Sequence, residues 1–88
     1  MGANAMALEL ISTMGSRNGV VHLRYGERQG DPTPFILTIH PEYVARKTSK
    51  ALPIKSQDVT QYVAAHAADL KTLAEDQKAR GYNMCVLE

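Results

Sequence analysis

The chain has 88 residues, 44% of them hydrophobic and 22% charged, a balance that excludes a fibrous or intrinsically disordered polymer and leaves one small domain over residues 1–88. Ten basic residues against nine acidic ones give a net charge of +1, without the basic excess of a dedicated nucleic-acid binder. No apolar run reaches the ~20 residues of a membrane span, no secretory leader is recognisable, and a single cysteine, Cys85, rules out an internal disulfide, so the chain reads as cytoplasmic and independent of membranes.

Residues 1–6, MGANAM, read as disordered, or as foreign to the native chain ahead of a start at Met6. From there to His40 the chain alternates with the period of strands. ALELISTM and VVHLRY flank an Asn-Gly pair, the preferred centre of a two-residue type I′ hairpin turn, because both central residues need positive φ. With Asn18 and Gly19 as that turn, Arg17 pairs with Val20, Met14 with Leu23 and Ser12 with Tyr25. One face then carries Leu8, Leu10, Met14, Val21, Leu23 and Tyr25, and the other Glu9, Ile11, Thr13, His22 and Arg24. GERQGDPTP is a loop by composition. FILTIH follows as a third antiparallel strand, with Phe35, Leu37 and Ile39 on one side and Ile36, Thr38 and His40 on the other.

HPEYVARKTS reads as a short helix with Pro41 at its first position and Glu42 in its first turn. Pro53 forbids continuation, so Thr48 to Lys55 is a connector. A long helix is predicted next, with Ser56 as its N-cap and Asp58 near its positive end. Val59, Val63, His66, Leu70, Leu73 and Gln77 form its apolar stripe, and Gly81 closes it as a left-handed residue. MCVLE is a short last strand at an edge of the sheet. The expected fold is therefore α+β, in the order β-β-β-α-α-β: a three-stranded antiparallel meander covered by one long and one short helix, with a C-terminal edge strand.

That order, carried by VVHLRYGER, PFILTIHPEYVA and DVTQYVAAHAADLKTLAEDQKARGYNMCVLE, resembles a family of short bacterial proteins, domain of unknown function 1488. The likeness covers roughly residues 20–88, with His40–Ala45 and Leu73–Gly81 as the matching pieces. The large apolar residue usual in that family after the short-helix alanine is replaced here by Arg46. The resemblance implies a fold and a bacterial source rather than a chemistry.

No catalytic constellation is legible. His22, His40 and His66 are far apart and Cys85 stands alone, whereas zinc ligands come in local pairs. Cys85 lies in an apolar strand, where cysteine behaves as a small hydrophobe. Neither a nucleophile elbow nor a phosphate-binding loop is present, and the adjacent Glu75 and Asp76 diverge on a helix. The expectation is a protein that is not an enzyme and needs no cofactor or metal.

Two surfaces compete as binding sites. YVARKTSKALPIK concentrates Arg46, Lys47, Lys50 and Lys55 without an acid, which suits a phosphate backbone or, more plainly, complements a helix end and keeps a connector soluble. The second is the sheet face away from the helices, where Ile11, Val20 and Ile36 lie beside Thr13, His22, Thr38 and His40. Its half-apolar character favours a protein-interaction module whose partner is another protein or a second copy as a homodimer. Weak nucleic-acid binding or a regulatory role through residues 46–55 is the alternative.

Overall fold

The computed structural model describes residues 7–88, so the reading of residues 1–6 lies outside the described part. Strands β1 (Glu9–Gly15), β2 (Val21–Gly26) and β3 (Phe35–Ile39) form the expected antiparallel meander. Helices α1 (Pro41–Thr48), α2 (Ser56–Ala65) and α3 (Ala67–Ala79) follow, and β4 (Met84–Leu87) pairs parallel with β3. The sheet order is β1-β2-β3-β4, which makes β4 the edge strand that the sequence leads one to expect. A parallel pair needs a long crossover between its strands, and the three helices supply it.

The helices cover one face of the sheet. Val21, Leu23 and Tyr25 of β2 and Phe35, Leu37 and Ile39 of β3 are all buried, as strict alternation requires. They join Val44 of α1, Val59 and Val63 of α2, and Leu70 and Ala74 of α3 in one core. Leu8, the residue before β1, closes it, its amide donating to Glu75 Oε2 of α3 at 3.0 Å.

The first hairpin departs from its expected register. Gly19 takes positive φ, +86°, but Asn18 does not, so the turn is not type I′. Ser16 N–H donates to Val20 O at 2.9 Å and Gly19 N–H to Ser16 O at 3.0 Å, leaving Arg17, Asn18 and Gly19 as a three-residue loop. Asn18 Oδ1 accepts from Val20 N–H at 3.2 Å and lies 2.6 Å from Ser16 Oγ, which selects this turn. The longer loop moves the pairing by one: Gly15 faces Val21, Thr13 faces Leu23, and Met14 faces His22. Met14 therefore leaves the core side and is 64% exposed. A bulge between Leu10 and Ser12 absorbs another residue, pairing Leu10 with Tyr25. Leu10 keeps its expected side, yet on an edge strand it is still 44% exposed. Gly19→Ala should cost about 1–2 kcal/mol, the penalty of a left-handed residue with a Cβ. The Cβ would also come within 3.0 Å of Ile54 O. A urea titration that finds the variant as stable as the parent would contradict this turn.

The expected single long helix is two. His66, with φ −119° and ψ 28°, separates α2 from α3, although the amides of His66 and Leu70 still reach Tyr62 O and His66 O at 3.0 Å each. Four alanines flank the break, Ala64, Ala65, Ala67 and Ala68, all exposed, so no large side chain holds this stretch to the sheet. The bend lets α2 pack on β2 while α3 packs on β3 and β4. His66 leaves the apolar stripe and is exposed, Leu73 is only partly buried, and Ala74 is fully buried.

The helix ends are made locally. Pro41 opens α1 at its first position, as expected. Lys55, not Ser56, is the N-cap of α2, and Asp58 reaches back so that its Oδ2 accepts Lys55 N–H at 3.2 Å. At the end of α3, Gly81 has φ +95°, with Gly81 N–H donating to Lys78 O at 2.9 Å and Tyr82 N–H to Gln77 O at 3.1 Å, a Schellman closure.

Candidate functional site

The face of the sheet turned away from the helices is built by pairing alone. Residues opposite one another share a face, so Met14, His22, Thr38 and Val86 form one row across the four strands, and Ser12, Arg24, Ile36 and Met84 the next. Ile11 joins them at the bulge, its Cδ1 lying over Gly26 where a Cβ would come within 2.4 Å of it. No described helix packs on this side. Met84 is 63% and Val86 43% exposed, and Ile36 is half-buried. His22 Nδ1 lies 2.9 Å from Thr38 Oγ1, which satisfies the buried threonine in the middle of the face.

Of the residues singled out in the sequence, His22 and Ile36 stand on this surface. His40 continues their alternation but sits where β3 passes into α1, its amide donating to Leu87 O at 2.9 Å. One further member of the expected face does not belong to it, since Thr13 is opposite Leu23; Val20, next to the turn and just ahead of β2, is buried. Three residues join this face against or beyond expectation: Met14, expected on the core side, and Met84 and Val86, to which the sequence assigns no face. The signal for the last two is the alternation of MCVL, which turns Met84 and Val86 outward once Cys85 and Leu87 face Leu37 and Ile39.

The basic segment is largely engaged within the chain. Arg46 Nη2 donates to the backbone carbonyl of Glu88. Lys47 Nζ lies 5.5 Å from the centroid of the Tyr43 ring. Lys50 Nζ pairs with Asp58 Oδ1 at 3.4 Å, and the Lys55 amide meets the other oxygen of the same carboxylate. Asp58 therefore ties the connector to the start of α2. The Lys55 amide first, and the Lys50 ammonium after it, hold its carboxyl below the usual 3.8.

A folded-state pKa lowered in this way contributes stability that is fully present above the unfolded value and is lost as pH falls through the folded one. Asp58→Ala should thus be less stable than the parent at pH 7, and the deficit should close as the pH drops below 3.8. Urea titrations at pH 7, 5 and 3 check this; a deficit independent of pH would contradict it.

Beside this pair lies a cleft of about 200 Å³ between α1 and α2, lined by Val44, Thr48, Lys50, Asp58, Gln61, Tyr62, Ala65 and His66. It is small beside the ~300–1,000 Å³ of pockets that enclose drug-sized ligands. The Tyr62 ring lies 4.3 Å from that of His66 at a tilt of 35°, and edge-on at 6.1 Å to Tyr43. Burial first, and the neighbouring Tyr43 after it, push the Tyr62 phenol up to about 12, so it stays neutral at physiological pH. Burial also pushes the Cys85 thiol up, which keeps thiolate scarce at neutral pH. Among the described residues, no three of His, Cys, Asp and Glu come together in a metal-holding group, and no helix is long and apolar enough to cross a membrane. No protein-family model, curated protein or solved structure matches the chain.

Proposed function

We propose that this chain is a cytoplasmic, non-enzymatic protein-interaction module, related to the short bacterial family it resembles, that docks through the outer face of its sheet. The observation that supports this reading is the pair of rows just described, in which Ile36, Met84 and Val86 lie together on β3 and β4, with Met14 across the same face on β1, on a side that no described helix packs against. A sheet ordinarily buries its apolar side chains against a second layer, and here one face has that layer while the other does not. Unbranched methionines suit such a surface because they adapt to the shape of what they meet.

The test is a photo-crosslinking residue placed at Met84 and, as control, at Lys71 on the helical side. The reading expects a discrete crosslinked species from position 84 in the native cell, absent from position 71 and lost when Ile36→Glu is added. Equal crosslinking from both positions would dispose of it. Because its side chain is partly exposed on the outer face, Ile36→Glu should lower the melting temperature only slightly.

A further inference from the structure

If the outer face is a docking surface, its charge specifies what docks there. Arg24 stands in the middle of the face, on β2, in the row Ser12–Arg24–Ile36–Met84. Its neighbours on β3 and β4 are apolar. The ion pairs of the described residues, Lys50–Asp58, Lys71–Glu75 and Arg80–Asp76, are all in the helices and the connector, so none includes Arg24. His22 lies one row away on the same strand, and Glu9 stands only at the margin, opposite Gly26. Covering this face with a second copy would bring in another Arg24 and another His22 but no central carboxylate. A guanidinium desolvated without a counter-ion is heavily penalised. A carboxylate placed over it removes the penalty, because Arg and carboxylate form two parallel charge-assisted hydrogen bonds.

We infer that the outer face of the sheet binds an acidic amphipathic segment of another protein, its apolar side chains against Met14, Ile36, Met84 and Val86 and one carboxylate on Arg24. The four strands are about 15–20 Å wide, so a helical segment of roughly 12 residues crosses them. This inference rests on the docking role proposed for the face.

The experiment uses two synthetic amphipathic helices of 16 residues that share one apolar stripe, one with glutamate on the flanking positions and one with lysine. Each is titrated into the isotope-labelled full chain at low salt, and the amide shifts of Arg24, Ile36 and Met84 are followed. The glutamate peptide should bind at least about tenfold more tightly, the scale of one charge-assisted pair. Arg24→Glu should reverse the preference and Arg24→Gln should abolish it, with circular dichroism confirming that both variants are folded. Equal affinity for the two peptides, or tighter binding of the lysine peptide, overturns the inference. So does concentration-dependent shifting of the same residues without peptide, which would show a second copy on the face and leave the docking role standing. If neither peptide nor concentration moves these residues, both the inference and the docking role fall.

Discussion

Replacing Phe35 with alanine should remove about 3–5 kcal/mol of stability, the range for a buried phenylalanine whose cavity the surroundings cannot refill. Phe35 is fully enclosed, pairs with Tyr25 across the central strands and is the largest fully buried side chain. A domain of this size has only about 5–10 kcal/mol to lose, so much of the variant should be unfolded at body temperature. Urea titration should show the midpoint falling by a third or more with an unchanged slope. A midpoint within a tenth of the parent's would mean that the centre of the sheet is not the centre of the core.

Leu70→Ala should cost about 2–5 kcal/mol for the same reason, whereas Lys71→Ala, one residue away, should cost less than about 0.5 kcal/mol. Leu70 is 4% exposed where α3 lies on the sheet. Lys71 turns to solvent, with its Nζ 4.0 Å from Glu75 Oε2. Thermal melts that find the two substitutions equally harmless would remove α3 from the core and leave β3 and β4 without a cover.

The parts of the fold that were legible in the sequence are those fixed by one residue's own chemistry or by alternation within one strand. Pro41 could open a helix and not continue one, Gly81 could take the left-handed position that ends α3, and the alternation of Phe35, Leu37 and Ile39 set the buried side of β3. What escaped depended on choices between near-equal local solutions. An Asn-Gly pair fits both a two-residue turn and a three-residue loop with only its glycine left-handed, and the Ser16 and Asn18 side chains decide between them. That choice sends Met14 outward. The break at His66 has no proline or glycine to announce it and follows from the need of α2 and α3 to track different strands.

The candidate site was half legible for the same reason. His22 and Ile36 followed from alternation within single strands, and Arg24 fell on the same side. Met84 and Val86 required knowing that β4 lies beside β3 and in parallel, a long-range pairing that local pattern does not encode. The four basic residues were legible only as charge. Their spacing shows charge, but it does not show that Arg46 meets Glu88, that Lys47 lies over Tyr43, or that Asp58 joins Lys50 to the Lys55 amide.

The central claim is that this sheet has one face dressed by its own helices and one left bare for a partner. Relaxation of side-chain methyl groups by a soluble gadolinium chelate, measured on the dilute chain, tests it most directly. The methyls of Met14 and Met84 should broaden strongly while those of Val59 and Leu70 hold their intensity, following exposures of 64% and 63% against 0% and 4%. Met14 and Met84 as well shielded as Val59 would show that the chain covers this face itself, and the docking role would have no surface on which to act.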